Sequence, residues 1–205
     1  MSRAKVIAES SPHDLFRVRT DHQWAGRGRR GRRWFDVPGR STIITVVVGR
    51  ASRYDPRDEN PGIVAIRAGC AVHASLIDTY PQAAGQLSIK WPNDILYRER
   101  KLAGILVEAD SRWFSIGIGV NDRRAVTAAA ADVGFSGAPS ESAGVLEFAR
   151  SVRRYAFLES FDNALVRFLR GDEWFSYATR RLAWLGRPVQ IEDDAEIIRG
   201  TLTGL

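Results

Sequence analysis

The sequence predicts an α+β domain, a mixed β-sheet with flanking helices. Three observations point there. Ser41–Val48 is a run dense in β-branched residues, the composition of a buried strand. Ile63, Ile66, Cys70, His73 and Ile77 recur at the spacing of one helix face. Leu87–Trp91, Leu102–Val107 and Trp113–Val120 are three strand-like runs in close succession.

Taken in order, Leu15–Thr20 alternates apolar and polar residues, as a half-buried strand does. Ser41–Val48 follows. Asn60-Pro61 opens a helix, Asn as N-cap and Pro at the first turn, and Pro81 closes it. Pro92 interrupts the Leu87–Trp91 strand and puts Asn93 and Asp94 in a turn. Arg98, Glu99 and Arg100 read as an exposed hairpin connection. Ala-rich 125–131 is ambiguous, and Gly134–Pro139 is a loop. Residues 144–170 and 172–184 read as amphipathic helices, anchored by Leu146, Phe157, Phe161, Leu165, Phe168 and Trp174. Beyond Gly186, Pro188–Ile191 and Ile198–Leu202 read as two short strands around the acidic stretch Glu192–Glu196. The expected division is a main domain over 1–184 and a small β segment over 185–205.

With 44% apolar residues the 205-residue chain can bury a sizeable core. No stretch of about eighteen apolar residues suggests a membrane span, and the N-terminus lacks a signal peptide's apolar run. The single cysteine, Cys70, forms no internal disulfide, which favours the cytoplasm. No His/Cys spacing suggests zinc. Of the net charge of +6, residues 1–50 hold eleven Lys+Arg against four Asp+Glu and the remainder is near neutral, pointing to an anionic partner. The basic residues are nearly all Arg. Lys occurs only at 5, 90 and 101, and the pair eleven residues apart, Lys90 and Lys101, suggests sites that call for a compact ammonium in place of a planar fork.

The densest chemical signal is Gly26-Arg27-Gly28-Arg29-Arg30-Gly31-Arg32-Arg33-Trp34. The glycines allow tight turns and close backbone approach, and the arginines supply forks for phosphate or carboxylate oxygens. Gly26, Gly28 and Gly31 spell a dinucleotide fingerprint, but the next element reads as a strand and not a helix, which excludes that reading. An RNA-binding module remains an alternative for so basic a loop. The second signal is Lys90-Trp91-Pro92-Asn93-Asp94 followed by Lys101-Leu102-Ala103-Gly104. Lys101 at a strand mouth, beside the side-chain-free Gly104, is suited to hold a carboxylate. Asp94 is suited to a metal ion or a ribose hydroxyl. His73 reads as a core residue, and His22 stands nearer the site.

Together with Gln23-Trp24-Ala25, Ile105-Leu106-Val107-Glu108 and Ile116-Gly117-Ile118-Gly119-Val120-Asn121, these runs are similar to biotin protein ligases, in the family's order and approximate spacing, over about residues 15–205. The resemblance implies a sheet-and-helix fold like that of class II aminoacyl-tRNA synthetases, with a C-terminal SH3-like segment that is here incomplete. It implies two steps: biotin and MgATP give biotinyl-5′-AMP, then biotin passes to a lysine of a biotin carboxyl carrier domain. It implies Lys101 and Arg29 as catalytic, and Gln23, Arg27, Gly28, Arg29, Lys101 and Gly104 as biotin-binding. Arg29, Arg30, Arg32, Trp34, Lys90, Asn93 and Asn121 would bind nucleotide, and Asp94 the Mg2+ ion. It leaves room for a homodimer.

The sequence also departs from the family pattern. The usual Ser-Thr-Asn stretch is not found ahead of Gln23, so part of the biotin pocket is expected to be absent or the start to lie upstream. Trp24 stands where a small residue is usual and is expected to crowd or reshape the ring pocket. No helix-turn-helix is seen, so neither DNA binding nor repressor activity is expected. A degenerate relative that binds a nucleotide or acyl adenylate without transfer, and a lipoate or octanoate transferase, are the alternatives within the superfamily.

Overall fold

A computed structural model describes residues 2–11, 13–31, 34, 37–50, 52–56, 60–124, 142–192 and 197–205. Its strands are β1 (Leu15–Thr20), β2 (Ser41–Gly49), β3 (Leu87–Lys90), β4 (Asp94–Tyr97), β5 (Arg100–Ala109), β6 (Trp113–Asn121), β7 (Pro188–Glu192) and β8 (Ile197–Thr201). Its helices are α1 (Ser2–Ser10), α2 (Pro61–Thr79), α3 (Arg154–Arg170) and α4 (Glu173–Thr179). One six-stranded sheet has the order β1-β2-β6-β5-β4-β3, and β7 and β8 form a separate hairpin. Every neighbouring pair in the large sheet is antiparallel. Parallel pairing enters at two isolated bridges, Ile89 with Leu182 and Lys101 with Ser142.

The two faces of the sheet differ in kind. Ile44, Val46 and Val48 of β2, Phe114, Ile116 and Ile118 of β6, and Ala103 and Ile105 of β5 share one face in register. They form a continuous core with α2 and α3. Burial of each Val, Ile and Phe side chain here is worth about 1.5–3 kcal/mol, so this face holds the fold together. The opposite face carries Val47, covered by Ala4 and Ala8 of α1. It also carries Gly104 paired with Gly119, and Leu106 paired with Gly117. Three glycines on adjoining strands leave a shallow trough free of side chains.

α2 begins as expected. Asn60 Oδ1 accepts from Gly62 N at 2.8 Å and Pro61 sits in the first turn. By length and composition α2 could cross a membrane, yet 72% of that window is buried within the fold, as in a core helix. The carbonyls at the end of α3 are capped by the buried Arg67, whose Nη1 donates to Phe168, Leu169 and Gly171 O at 3.0 Å each. That satisfies acceptors a helix terminus otherwise leaves open.

Several expectations are revised. Asp94 is not in the turn; it opens β4, a strand the sequence reading omitted because Arg98-Glu99 makes so tight a return. Both residues have positive φ, 48° and 63°, the geometry of a two-residue hairpin turn. α3 starts at Arg154, not 144. Residues 142–149 instead form an anchored bend: Ala143 N donates to Lys101 O, Leu146 N to Asp122 O, and Glu147 pairs with Arg100. α4 ends at Thr179, short of 184. α1 was not anticipated. The Ala-rich stretch and the 134–139 loop fall outside the described residues.

Candidate active site

The site is built on the glycine trough, and its central cation gets there by a bulge. Along β5, Ala103 and Ile105 face the core, so strict alternation would turn Lys101 toward the core as well. Instead the register with β4 shifts between Ile95 and Leu96: Ile95 pairs with Ala103, Leu96 with Lys101. Leu102 is the extra residue, and it and Ala103 both enter the core. A bulge of this kind re-aims the neighbouring side chain. Lys101 therefore reaches the open face, its Nζ 3.2 Å from where a Cβ on Gly104 would stand.

There Lys101 Nζ meets Asp94 Oδ1 at 2.7 Å. The contact is an ion pair without hydrogen-bond alignment, Asp94 Oδ1 having no such partner. The preceding residue, Asn93, is locked to β5. Its Nδ2 donates to Ile105 O at 2.9 Å, and its own carbonyl accepts from Ile105 N at 2.8 Å. Its Oδ1 accepts from Arg29 Nη1 at 3.3 Å. Arg29 and Lys101 are thus held by adjacent residues, whose Cα atoms are about 3.8 Å apart. Arg27 pairs with Glu108 Oε1 at 3.0 Å. Residues 27 through 31 roof a cavity of about 400 Å³ whose floor is Leu106 and Glu108. The roof turns sharply at Arg30 and Gly31, both left-handed with φ of 54° and 71°, which the glycine adopts without strain.

Trp34 lies over the trough. A Cβ on Gly119 would stand 2.6 Å from its Cε2, and one on Gly104 3.0 Å from its Cζ3. Trp34 N donates to Gly26 O at 2.9 Å, and Gly26 has no room for a side chain between Trp34 and Gln23 Oε1. Lys101 Nζ stands 5.8 Å from the indole centroid, within cation–π range. The side chains of Arg27, Arg29, Trp34, Asn93, Asp94 and Lys101 are brought together about Gly104, Gly28 lines the cavity, and Gln23 Oε1 stands beside Gly26. Asn121 holds the backbone of Lys101, its Nδ2 donating to Lys101 O at 3.3 Å. Arg30 lines the cavity, while Arg32 lies outside the described residues.

Other expectations change. Lys90 is the cross-strand partner of Asp94 at the end of β3; it is exposed, and its Nζ rests 5.5 Å over the Trp184 ring. Trp24 does not crowd the trough. It is 89% exposed and meets His22 edge-on at 5.2 Å. Asp94 engages Lys101, and among the described residues no three His, Cys, Asp or Glu side chains gather to hold a metal. Glu108 and Leu106 were given no role from sequence, although Gly104, Leu106 and Glu108 at spacing two already share a face.

The chemistry of the arrangement is that of two anions brought together. Three cations wait on sheet acceptors, Arg27 on Glu108, Arg29 on Asn93 and Lys101 on Asp94. A carboxylate or phosphate entering the trough can take over each contact. Charge developing in a transition state then meets donors already in position.

The chain is similar to known proteins over most of its length. Residues 3–121 match the model of the Biotin/lipoate A/B protein ligase family. A biotin--[acetyl-CoA-carboxylase] ligase of Paracoccus denitrificans is 31% identical over 187 residues, 87% of this chain and 73% of the relative. A ligase of the same description from Mycobacterium tuberculosis is 37% identical over 101 residues, 49% of this chain and 37% of the relative. Among solved structures, the biotin protein ligase of Aquifex aeolicus in complex with biotin and ATP matches with TM-score 0.72 at 23% identity, covering 92% of this chain and 77% of that one. The Leishmania major biotin protein ligase in complex with biotinyl-5-AMP matches with TM-score 0.71 at 22% identity, covering 89% and 76%. At those identities the structures speak for the fold.

Proposed function

The chain belongs to the biotin/lipoate A/B protein ligase family, and from that premise we propose that it activates biotin with ATP and transfers it to a lysine of a carboxyl carrier domain. The observation that supports this most is the pairing of Arg29 and Lys101 on adjacent residues beneath the arginine loop. Biotin's acyl chain lies along the trough with its carboxylate at Lys101. The nucleotide enters as its magnesium complex, with its α-phosphate toward Arg29 and Arg30.

In the first step a biotin carboxylate oxygen attacks the α-phosphorus. The bond to the bridging oxygen breaks, pyrophosphate leaves, and biotinyl-5′-AMP forms. Lys101 and Arg29 offset the repulsion of two anionic reactants and the charge that builds on the phosphoryl oxygens. In the second step the neutral amine of an acceptor lysine attacks the acyl carbon. AMP departs with the bonding pair, and the amine loses its proton as the amide forms. Magnesium belongs to the nucleotide in this scheme, and no protein carboxylate is assigned to it.

The test is pyrophosphate release from ATP with biotin or lipoate, followed by addition of a carrier domain. Pyrophosphate with biotin alone, and biotinylated carrier afterwards, is the expected result. Release with lipoate in its place makes the protein a lipoate ligase. Adenylate without transfer makes it the degenerate relative.

A further inference from the structure

Lys101 sits where the sheet's own contacts give out. The β5–β6 register begins at Ala103 with Val120, so the backbone of Lys101 lies beyond that ladder. On the β4 side the bulge at Leu102 interrupts the pairing next to it. The carbonyl of Lys101 is held by other means. It accepts from Ala143 N at 2.8 Å and from Asn121 Nδ2 at 3.3 Å.

Both donors lead to Asp122. Asn121 is its chain neighbour. Ala143 stands at the start of the 142–149 bend, and Leu146 N of that bend donates to Asp122 O at 3.1 Å. Asp122 itself is 2% exposed, and its carboxylate ties β2 to α3. Oδ1 accepts from Thr42 Oγ1 at 3.0 Å, and Oδ2 accepts from Nε and Nη2 of Arg154. Arg154 Nη2 also donates to Gly39 O at 3.1 Å, and Asp122 N donates to Arg40 O at 2.9 Å. Burying a carboxylate carries a desolvation penalty that offsets much of its pairing with an arginine. Such a pair is a poor source of stability. Bonds arriving from two sides do, however, leave the carboxylate a single orientation, which makes Asp122 a fixed point at the end of β6.

We propose that Asp122 is a positioning residue for the reaction. Anchored by Thr42 and Arg154, it holds Asn121 and the 142–149 bend in the places from which they fix the backbone of Lys101, and with it the stand of the ammonium beside Gly104. The proposal rests on the ligase reading and extends it to a residue that touches no reactant. A displacement of about 1 Å at a reacting group can lower a rate about 10²-fold, so a slack clamp is read in the rate of adenylation.

The experiment is a double-mutant cycle, with pyrophosphate release measured in single turnovers at saturating biotin and ATP. Asp122→Asn keeps the shape of the side chain and an acceptor for Thr42, and removes the charge opposite Arg154. It lowers the rate about ten- to a hundredfold in the otherwise unaltered chain. In Lys101→Ala it lowers the rate by less than about twofold, because residues that act through one group are not additive. Thr42→Val loosens the same carboxylate without stranding a charge. It shows the same pattern with a smaller loss, and it carries the test where Asp122→Asn fails to fold. In both variants the Ala143 amide exchanges faster relative to those of β2. An equal fold-loss in the Lys101→Ala background overturns the proposal, since Asp122 then acts by a route that bypasses Lys101. Full rates in Asp122→Asn and Thr42→Val, or unchanged protection of Ala143, overturn it as well. In each of these cases release by the unaltered chain leaves the ligase reading standing. No pyrophosphate from the unaltered chain with biotin and ATP removes the ligase reading, and the proposal with it.

Discussion

Lys101 shows how a single residue can be legible as a motif and illegible as geometry. Its spacing from Gly104 and its rarity among basic residues mark it in the sequence. The bulge at Leu102 that turns it onto the open face is visible only as two adjacent apolar residues that break alternation, a signal without direction until β4 is in place. Asp94 is the counterpart: the sequence put it in a turn, and the return of β4 makes it a strand residue and delivers it to Lys101. Trp24, expected to crowd the pocket, points to water because a turn at residues 24 and 25 carries it outward. Lys101→Ala should lower the rate of pyrophosphate release about 10²–10³-fold, the effect of losing one transition-state donor. Lys101→Arg should not restore it. The planar fork is bulkier than an ammonium and would have to fit where Nζ already stands 3.2 Å from the Gly104 Cβ position. Single-turnover assays at saturating biotin and ATP measure both, and wild-type rates in the Arg variant would remove the argument for an ammonium.

Among the elements, the long ones with one clear period were readable: β2 from its β-branched run, α2 from its cap and face, the core half of α3 from its aromatics. The misread ones are those where tertiary contacts decide. Residues 144–153 have helical periodicity, but Gly144 packs against the backbone of Arg123, and the hydrogen bonds of Ala143 and Leu146 are made to β5 and the end of β6. His73 on α2 was read correctly as a core residue, and its setting has a consequence for stability. Its Nδ1 is 2.9 Å from the Tyr177 hydroxyl on α4. Burial, assisted by the Arg181 charge, pushes the imidazole down to about 4. In the unfolded chain it titrates near 6.5. Between those values the unfolded state binds a proton that the folded state refuses. The stability His73 contributes is therefore whole above about pH 6.5 and is lost as pH falls toward 4. The full span is worth about 3 kcal/mol. Urea unfolding at pH 7 and pH 4.5 should show a loss that is smaller in His73→Gln, whose amide can still reach Tyr177 but does not titrate. Equal losses in the two proteins would show that acid sensitivity arises elsewhere.

At the scale of the whole molecule the large sheet and the C-terminal hairpin are unequally committed to the fold. The sheet is covered by α2 and α3 on one face and partly by α1 on the other. The β7–β8 hairpin leaves β8 exposed along its length, with Ile197 and Ile198 more than half accessible. Its bonds at Gly186, Arg187 and Leu202 close the hairpin on itself. The ion pair of Arg187 with Glu99, at 2.6 Å, joins two side chains that are each about 60% exposed. Exposed pairs of that kind are worth about 0–1 kcal/mol, and a two-stranded hairpin adds little by itself. The two short strands beyond Gly186 were readable in the sequence and pair as a hairpin, whereas the sparseness of its attachment depends on which side chains face the main sheet. Removing residues 187–205 should therefore lower the unfolding free energy by no more than about 1 kcal/mol, and leave pyrophosphate release with biotin and ATP intact. In the intact chain the amides of β7 and β8 should exchange with solvent well before those of β2, β5 and β6, because regions with few buried apolar contacts open locally. Hydrogen exchange and urea titration of the two lengths decide it. If the hairpin amides are protected as strongly as β5, or the shortened chain no longer unfolds cooperatively, the hairpin is an integral part of the catalytic domain.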